Sequence, residues 1–142
     1  MTTSKPATWF WIVSGIALLW NLLGVMAYMA QVTMSPEALH ALPENERTLI
    51  ETTPSWATGA FAVAVWGGTL GALLLLLRRT VATPILIVSL VGVVVQMIHA
   101  FFISNSIEVY GPGGMAMPAM VMIFAIFLIW FSRRATASGW MR

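Results

Sequence analysis

Four stretches of the chain run almost without a charged or strongly polar residue: 9–30, 56–77, 84–103 and 115–131. Each is close to the ~20 residues that carry an α-helix across the ~30 Å hydrocarbon core of a bilayer. Backbone in lipid must satisfy its own hydrogen bonds, so such runs read as membrane-spanning helices. The pattern therefore predicts an all-α protein: a single integral-membrane domain, 1–142, built as a four-helix bundle. The first run does not read as a secretory signal, being too long for an h-region and lacking a small-residue cleavage pattern after it.

The few polar positions inside the spans are ordered. In the third span Ser89, Gly92, Gln96 and His99 are spaced three, four and three residues apart, which puts them on one helix face. An unpaired polar group in hydrocarbon costs several kcal/mol, so this face is expected to turn into the bundle. Asn21 in the first span lies about 18 Å from the start of its helix, and Gln96 about 18 Å from the start of its own. The two helices run in the same direction, so an Asn21–Gln96 hydrogen bond is expected. Tyr28 and His99 lie nearer the opposite face of the membrane. Ser14 and Asn21 repeat the seven-residue spacing of Ser89 and Gln96, and both hairpins carry a double arginine, Arg78-Arg79 and Arg133-Arg134. These features suggest a parallel tandem repeat of two hairpins.

The second span carries small residues instead. Ala60, Ala64, Gly68 and Ala72 recur every fourth residue, and Gly67 and Gly71 form a G-x-x-x-G pair. Small residues let helix backbones approach closely, which drives association in lipid. The stripe is expected to pack within the chain, with packing against a second copy as the alternative.

Between the first two spans lies the only long polar segment, 32–55. Ser35-Pro36-Glu37 reads as an N-cap, a proline in the first turn and an acid beside the helix N-terminus, and Pro43-Glu44 repeats the signal. Two short helices or one kinked helix are expected, with Leu39, Leu42, Leu49 and Ile50 as the apolar face of a short amphipathic cap. Gly111, Pro112, Gly113 and Gly114 precede the fourth span, and Pro118 falls in its first turn or kinks it.

Composition agrees with the pattern. Of 142 residues 59% are hydrophobic and 8% charged, against about 25% charged in a soluble domain. Cys and Asp are absent, which removes disulfides and thiolate metal sites. The net charge of +2 is too small and dispersed for nucleic-acid binding. The cations do carry topological information. Lys5, Arg78, Arg79, Arg133, Arg134 and Arg142 all fall at one predicted end, and Arg47 sits among Glu37, Glu44, Glu46 and Glu51. The positive-inside rule then puts both termini in the cytoplasm and 32–55 outside.

Candidate chemistry is sparse. No G-x-S-x-G, H-E-x-x-H or carboxylate pair is present, and GPGG lacks the Lys-Ser/Thr of a phosphate loop, so no enzyme, catalytic residue or cofactor is expected. His99 is the one readily titratable side chain placed within a span; it reads either as a ligand contact or as a neutral hydrogen-bonded residue. Met26, Met29, Met34, Met97, Met115, Met117, Met120 and Met122 map to the outer half, but methionine is also a common core filler, and no metal site is expected. Haem would need two axial histidines at matching depth, which one copy does not offer.

Trp20-Asn21, Gly24, Gln31, the MSPEAL turn, Pro54, Trp56, GGTLG, the leucine run ending in Arg78-Arg79, and Gln96 together resemble a family of small bacterial inner-membrane proteins with four spans, often labelled "sugar transporter". The resemblance covers roughly the first hundred residues. It implies residence in the bacterial inner membrane and a transport role, and no site; proteins of the DoxX type are a weaker match. Two functional classes follow. In one, Asn21, Tyr28, Ser89, Gln96 and His99 line a polar interior that binds or carries a small neutral solute such as a sugar, or a lipid, with a homo-oligomer forming the path. In the other, the chain is an accessory subunit of a larger membrane complex, and its polar stripe is packing glue.

Overall fold

The computed structural model describes residues 5–103 and 116–141, and every regular element among them is helical. In order these are α1 (Thr8–Val32), α2 (Pro36–His40), α3 (Glu44–Glu51), α4 (Ser55–Leu76), α5 (Ala82–Ile98), a π-helical turn (His99–Ile103) that extends α5, and α6 (Ala116–Ala137). Four of them, α1, α4, α5 with its π turn, and α6, are long and apolar enough to cross a membrane. The glycine-rich turn 111–114, Glu108, Met115 and Arg142 lie outside the described residues.

Helix starts follow the sequence signals. Ser35 Oγ accepts a hydrogen bond from the Ala38 amide at 3.1 Å, and Pro36 occupies the first turn of α2. Glu44 opens α3 directly after Pro43, so the loop holds two short helices. Leu39, Leu42, Leu49 and Ile50 are all half-buried.

The fourth helix departs from expectation. It continues to Ala137 and does not stop at 131. The end of an apolar run marks the edge of the hydrocarbon, whereas a helix ends where capping becomes favourable. Ser132 and Ala135 are fully buried, the exposed Arg133 and Arg134 are good helix formers, and Arg134 lies over the Trp130 ring at 5.8 Å. The two double arginines are therefore not equivalent: one ends α4 and the other sits inside α6. What the hairpins do share is a Schellman ending. At the end of α4 the amides of Arg78 and Arg79 bond to Leu75 and Leu74 carbonyls; at the end of α6 those of Gly139 and Trp140 bond to Thr136 and Ala135. Both motifs need a left-handed residue, and the positions are filled by Arg78 (φ 58°) and Gly139 (φ 78°).

The second Schellman turn folds the tail back onto the bundle. Trp140 meets Trp9 and Phe10 at centroid distances of 5.3 and 5.7 Å, and Phe131 meets the same two rings at 5.4 and 5.6 Å. Arg78 Nε donates to the Trp140 carbonyl at 2.7 Å. The start of α1, the α4–α5 turn and the end of α6 thus meet at one end of the bundle, as the cation pattern predicts.

Packing is inverted relative to a soluble bundle. The buried face of α4 is mostly small, with Ala57, Ala60, Ala64, Gly68, Gly71 and Ala72 beside Val65 and Leu75. Large residues such as Leu19, Leu23, Met26 and Ile123 are the exposed ones. In a lipid solvent the gain comes from close backbone contact, and apolar surface need not be hidden. A Cβ on Gly71 would stand 2.5 Å from Leu86 Cδ2, and one on Gly67 3.2 Å from Ser89 Cβ. The G-x-x-x-G pair is therefore occupied by α5 of the same chain, which removes it as a dimer contact.

Candidate functional site

Close packing is confined to three of the helix pairs: α1 on α4, α4 on α5, and α5 on α6. The α1 and α6 helices meet through side chains, Trp9 and Phe10 on Phe131 at one end and Trp20 stacked on Phe124 at 5.0 Å and 17° midway. The space left among the four spans is a cavity of about 380 Å³, within the roughly 300–1,000 Å³ of small-ligand sites. Its walls are mostly apolar, with Phe61, Val65, Leu86, Val93 and Phe124 among them. Among the described residues Asn21, Ser89 and Gln96 face it, besides the indole of Trp20.

Asn21 is held from its own helix. Its Nδ2 donates to the Ala17 carbonyl at 2.8 Å. A carbonyl only accepts, so this bond sets the amide's orientation and leaves Oδ1 on the other side, against Gly68. A Cβ at Gly68 would collide with that oxygen. Ser89 is 5% exposed and donates from Oγ to the Ala64 carbonyl at 2.6 Å, tying α5 to α4. Gln96 is half-buried, and its side chain makes no hydrogen bond among the described residues. The expected Asn21–Gln96 bond does not form. The Ala17 carbonyl is one turn away on the same helix and needs no interhelical fit, so it takes the Asn21 amide, and Gln96 keeps both ends of its own uncommitted.

His99 and Tyr28 do not line the cavity. The reason for His99 is angular. At about 100° per residue, Ser89, Val93, Gln96 and Ala100 span roughly 60° of the helix surface, with Gln96 at one edge. Gly92 and His99 fall about 40° and 60° beyond that edge. This is the side facing α4: a Cβ on Gly92 would lie 2.8 Å from the Ala60 carbonyl oxygen, and the His99 ring packs edge-on to Trp56 at 5.4 Å. The polar face read from the sequence is thus two faces, one toward the cavity and one toward α4. Tyr28, two turns beyond Asn21, packs edge-on against Phe61 at 5.4 Å.

The suggested repeat holds in position but not in bonding. Asn21 and Gln96 both reach the cavity, and Ser14 and Ser89 are both buried. Ser89 has a carbonyl partner across the helix interface, whereas Ser14 Oγ has none. The methionines are dispersed. Met26, Met29 and Met120 are exposed and Met97 lines the cavity. The Met117 side chain lies outside the described residues. Among those residues no three His or Glu side chains gather as metal ligands would.

The Trp20–Phe124 stack was missed from the sequence. Trp20 lies in mid-span, unlike Trp9, Trp11, Trp56 and Trp130 at span ends. Trp66 is equally central in its span and is 49% exposed with no ring partner among the described residues, so mid-span placement did not single out Trp20. Among the described residues no charged side chain lines the cavity, so these walls suit an uncharged occupant with an apolar body. Comparison with family models, curated proteins and solved structures brings no match, and the functional reading rests on this geometry alone.

Proposed function

We propose that the protein is a non-catalytic, multi-pass membrane protein that binds a small uncharged solute or lipid in the cavity among its spans. Carriage across the membrane would require an assembly larger than one chain. One observation supports this reading above the accessory-subunit alternative: Asn21 and Gln96 keep uncommitted amide atoms on about 380 Å³ of open space. Residues serving only as interhelical glue are expected to be bonded to each other across a filled interface. The six cations at one end support a cytoplasmic location for both termini. With the family resemblance, this supports the bacterial inner membrane as its site.

The test is native mass spectrometry of the protein released from its membrane in mild detergent. The reading expects a co-purifying small molecule on the wild type that is lost from Asn21→Leu/Gln96→Leu. An unliganded wild type that instead retains a larger protein partner, equally in the double variant, overturns it in favour of the accessory role.

A further inference from the structure

We infer that the occupant of this cavity is a single-headed neutral amphiphile drawn from the bilayer, an apolar chain or ring system bearing one hydroxyl, and neither a sugar nor an ionised lipid. The inference rests on the reading of the cavity as a ligand site and specifies what that site accepts.

Hydrogen-bond accounting sets the head group. Asn21 has spent one N–H on Ala17, leaving one N–H and Oδ1. Ser89 has spent its only proton on the Ala64 carbonyl, so its Oγ can accept but not donate. Gln96 has spent nothing on its side chain. Asn21 Oδ1 and Ser89 Oγ converge on the same glycine, Gly68, so both acceptors border one spot in the wall. A hydroxyl donates one proton and accepts two, so it can give its proton to one of these acceptors and accept from the free amide N–H groups of Asn21 and Gln96, with the remaining amide positions left over.

The same accounting excludes the alternatives. A carboxylate or phosphate here would be a buried ion facing no cation among the described residues, none of whose Lys, Arg or His side chains lines the cavity. A sugar would turn most of its hydroxyls onto Phe61, Leu86, Val93 and Phe124, and each buried hydroxyl without a partner costs about 1–3 kcal/mol. The apolar walls match a hydrocarbon body. Access is lateral: Leu23 belongs to the cavity wall and is also 61% exposed toward lipid. At the α1–α6 edge the described contacts are between side chains, Trp20 on Phe124 among them.

The experiment uses the full chain in lipid nanodiscs with three diazirine-bearing probes of matched chain length: dodecanol, dodecanoic acid and dodecyl glucoside. Cross-linked residues are mapped by peptide mass spectrometry. The alcohol is expected to label Val93 and Phe124, in competition with unlabelled dodecanol. The acid and the glucoside are expected to label only lipid-facing residues such as Leu19 and Ile123. Asn21→Leu/Gln96→Leu should cut wall labelling by the alcohol about three- to tenfold, the worth of one or two net hydrogen bonds. Gln96→Leu alone removes no internal hydrogen bond and serves if the double variant does not fold. Wall labelling by the acid or glucoside as strong as by the alcohol, or wall labelling that Gln96→Leu leaves unchanged, overturns the assigned ligand class while leaving a ligand site. Absence of wall labelling above the lipid-facing level with all three probes overturns the ligand site itself, and this inference with it.

Discussion

Replacing Gly92 by alanine tests how tightly α4 and α5 are locked. The new Cβ would stand 2.8 Å from the Ala60 carbonyl oxygen and 2.9 Å from the Ala64 nitrogen. Both are backbone atoms, so neither can swing aside. A carbon against a carbonyl oxygen needs about 3.3 Å or more, so the two helices must part by roughly 0.5 Å at this crossing. Ser89, three residues away on α5, donates to Ala64 O at 2.6 Å, and the same separation would lengthen that bond to a weaker one. Overpacking of this kind costs about 1–3 kcal/mol. Alanine is the better helix former by about 1 kcal/mol, which opposes it. The net expectation is destabilisation by up to about 2 kcal/mol. Equilibrium unfolding in mild detergent titrated with dodecyl sulfate, followed by tryptophan fluorescence, measures it. Gly59→Ala is the control: its Cβ meets nothing within 4 Å, so propensity alone acts and stability holds or rises by up to about 1 kcal/mol. If both variants unfold at the same denaturant fraction, backbone contact at Gly92 is not what holds α4 against α5.

Gly68→Ala should damage the site more than the fold, because the new Cβ meets Asn21 Oδ1 and Cγ and displaces that side chain from its bond to Ala17; a small loss of thermal stability with reduced cavity labelling by the dodecanol probe is expected, and undiminished labelling refutes the role of Asn21 Oδ1. At the α4–α5 turn, Arg78→Ala loses the bond to the Trp140 carbonyl and keeps the left-handed backbone, whereas Arg78→Gly loses the bond and relieves the backbone. The glycine variant should therefore be the more stable of the two by about 1 kcal/mol in the same unfolding assay. The chain has no cysteine, so Ala41→Cys just after α2 and Ser138→Cys just after α6 can be labelled one at a time in intact cells. An impermeant maleimide should reach position 41 and not 138; the reverse pattern refutes the proposed orientation.

The spans were readable in the sequence because bilayer thickness converts directly into a length of apolar residues. The starts of α2 and α3 were readable because capping is local, settled within four residues of Ser35 and of Pro43. The inward turn of the small stripe on α4 followed from its composition, since small residues gain only against another backbone. Periodicity also placed Asn21, Ser89 and Gln96 at the cavity depth. It could not divide Ser89 and Gln96 from Gly92 and His99. That division depends on helix rotation to within about 60°, which the summed packing of all neighbours sets.

The tertiary structure alone decided the rest. It gave Asn21 to the carbonyl of Ala17, His99 to the ring of Trp56, and the G-x-x-x-G pair to α5. It extended α6 beyond the arginines so that Trp140 could close the end of the bundle. Above all, it left space among the four spans and so made the cavity. Local composition limits which contacts a residue can make; which of them forms, and where space is left between them, depends on how rigid helices of given girth fit together.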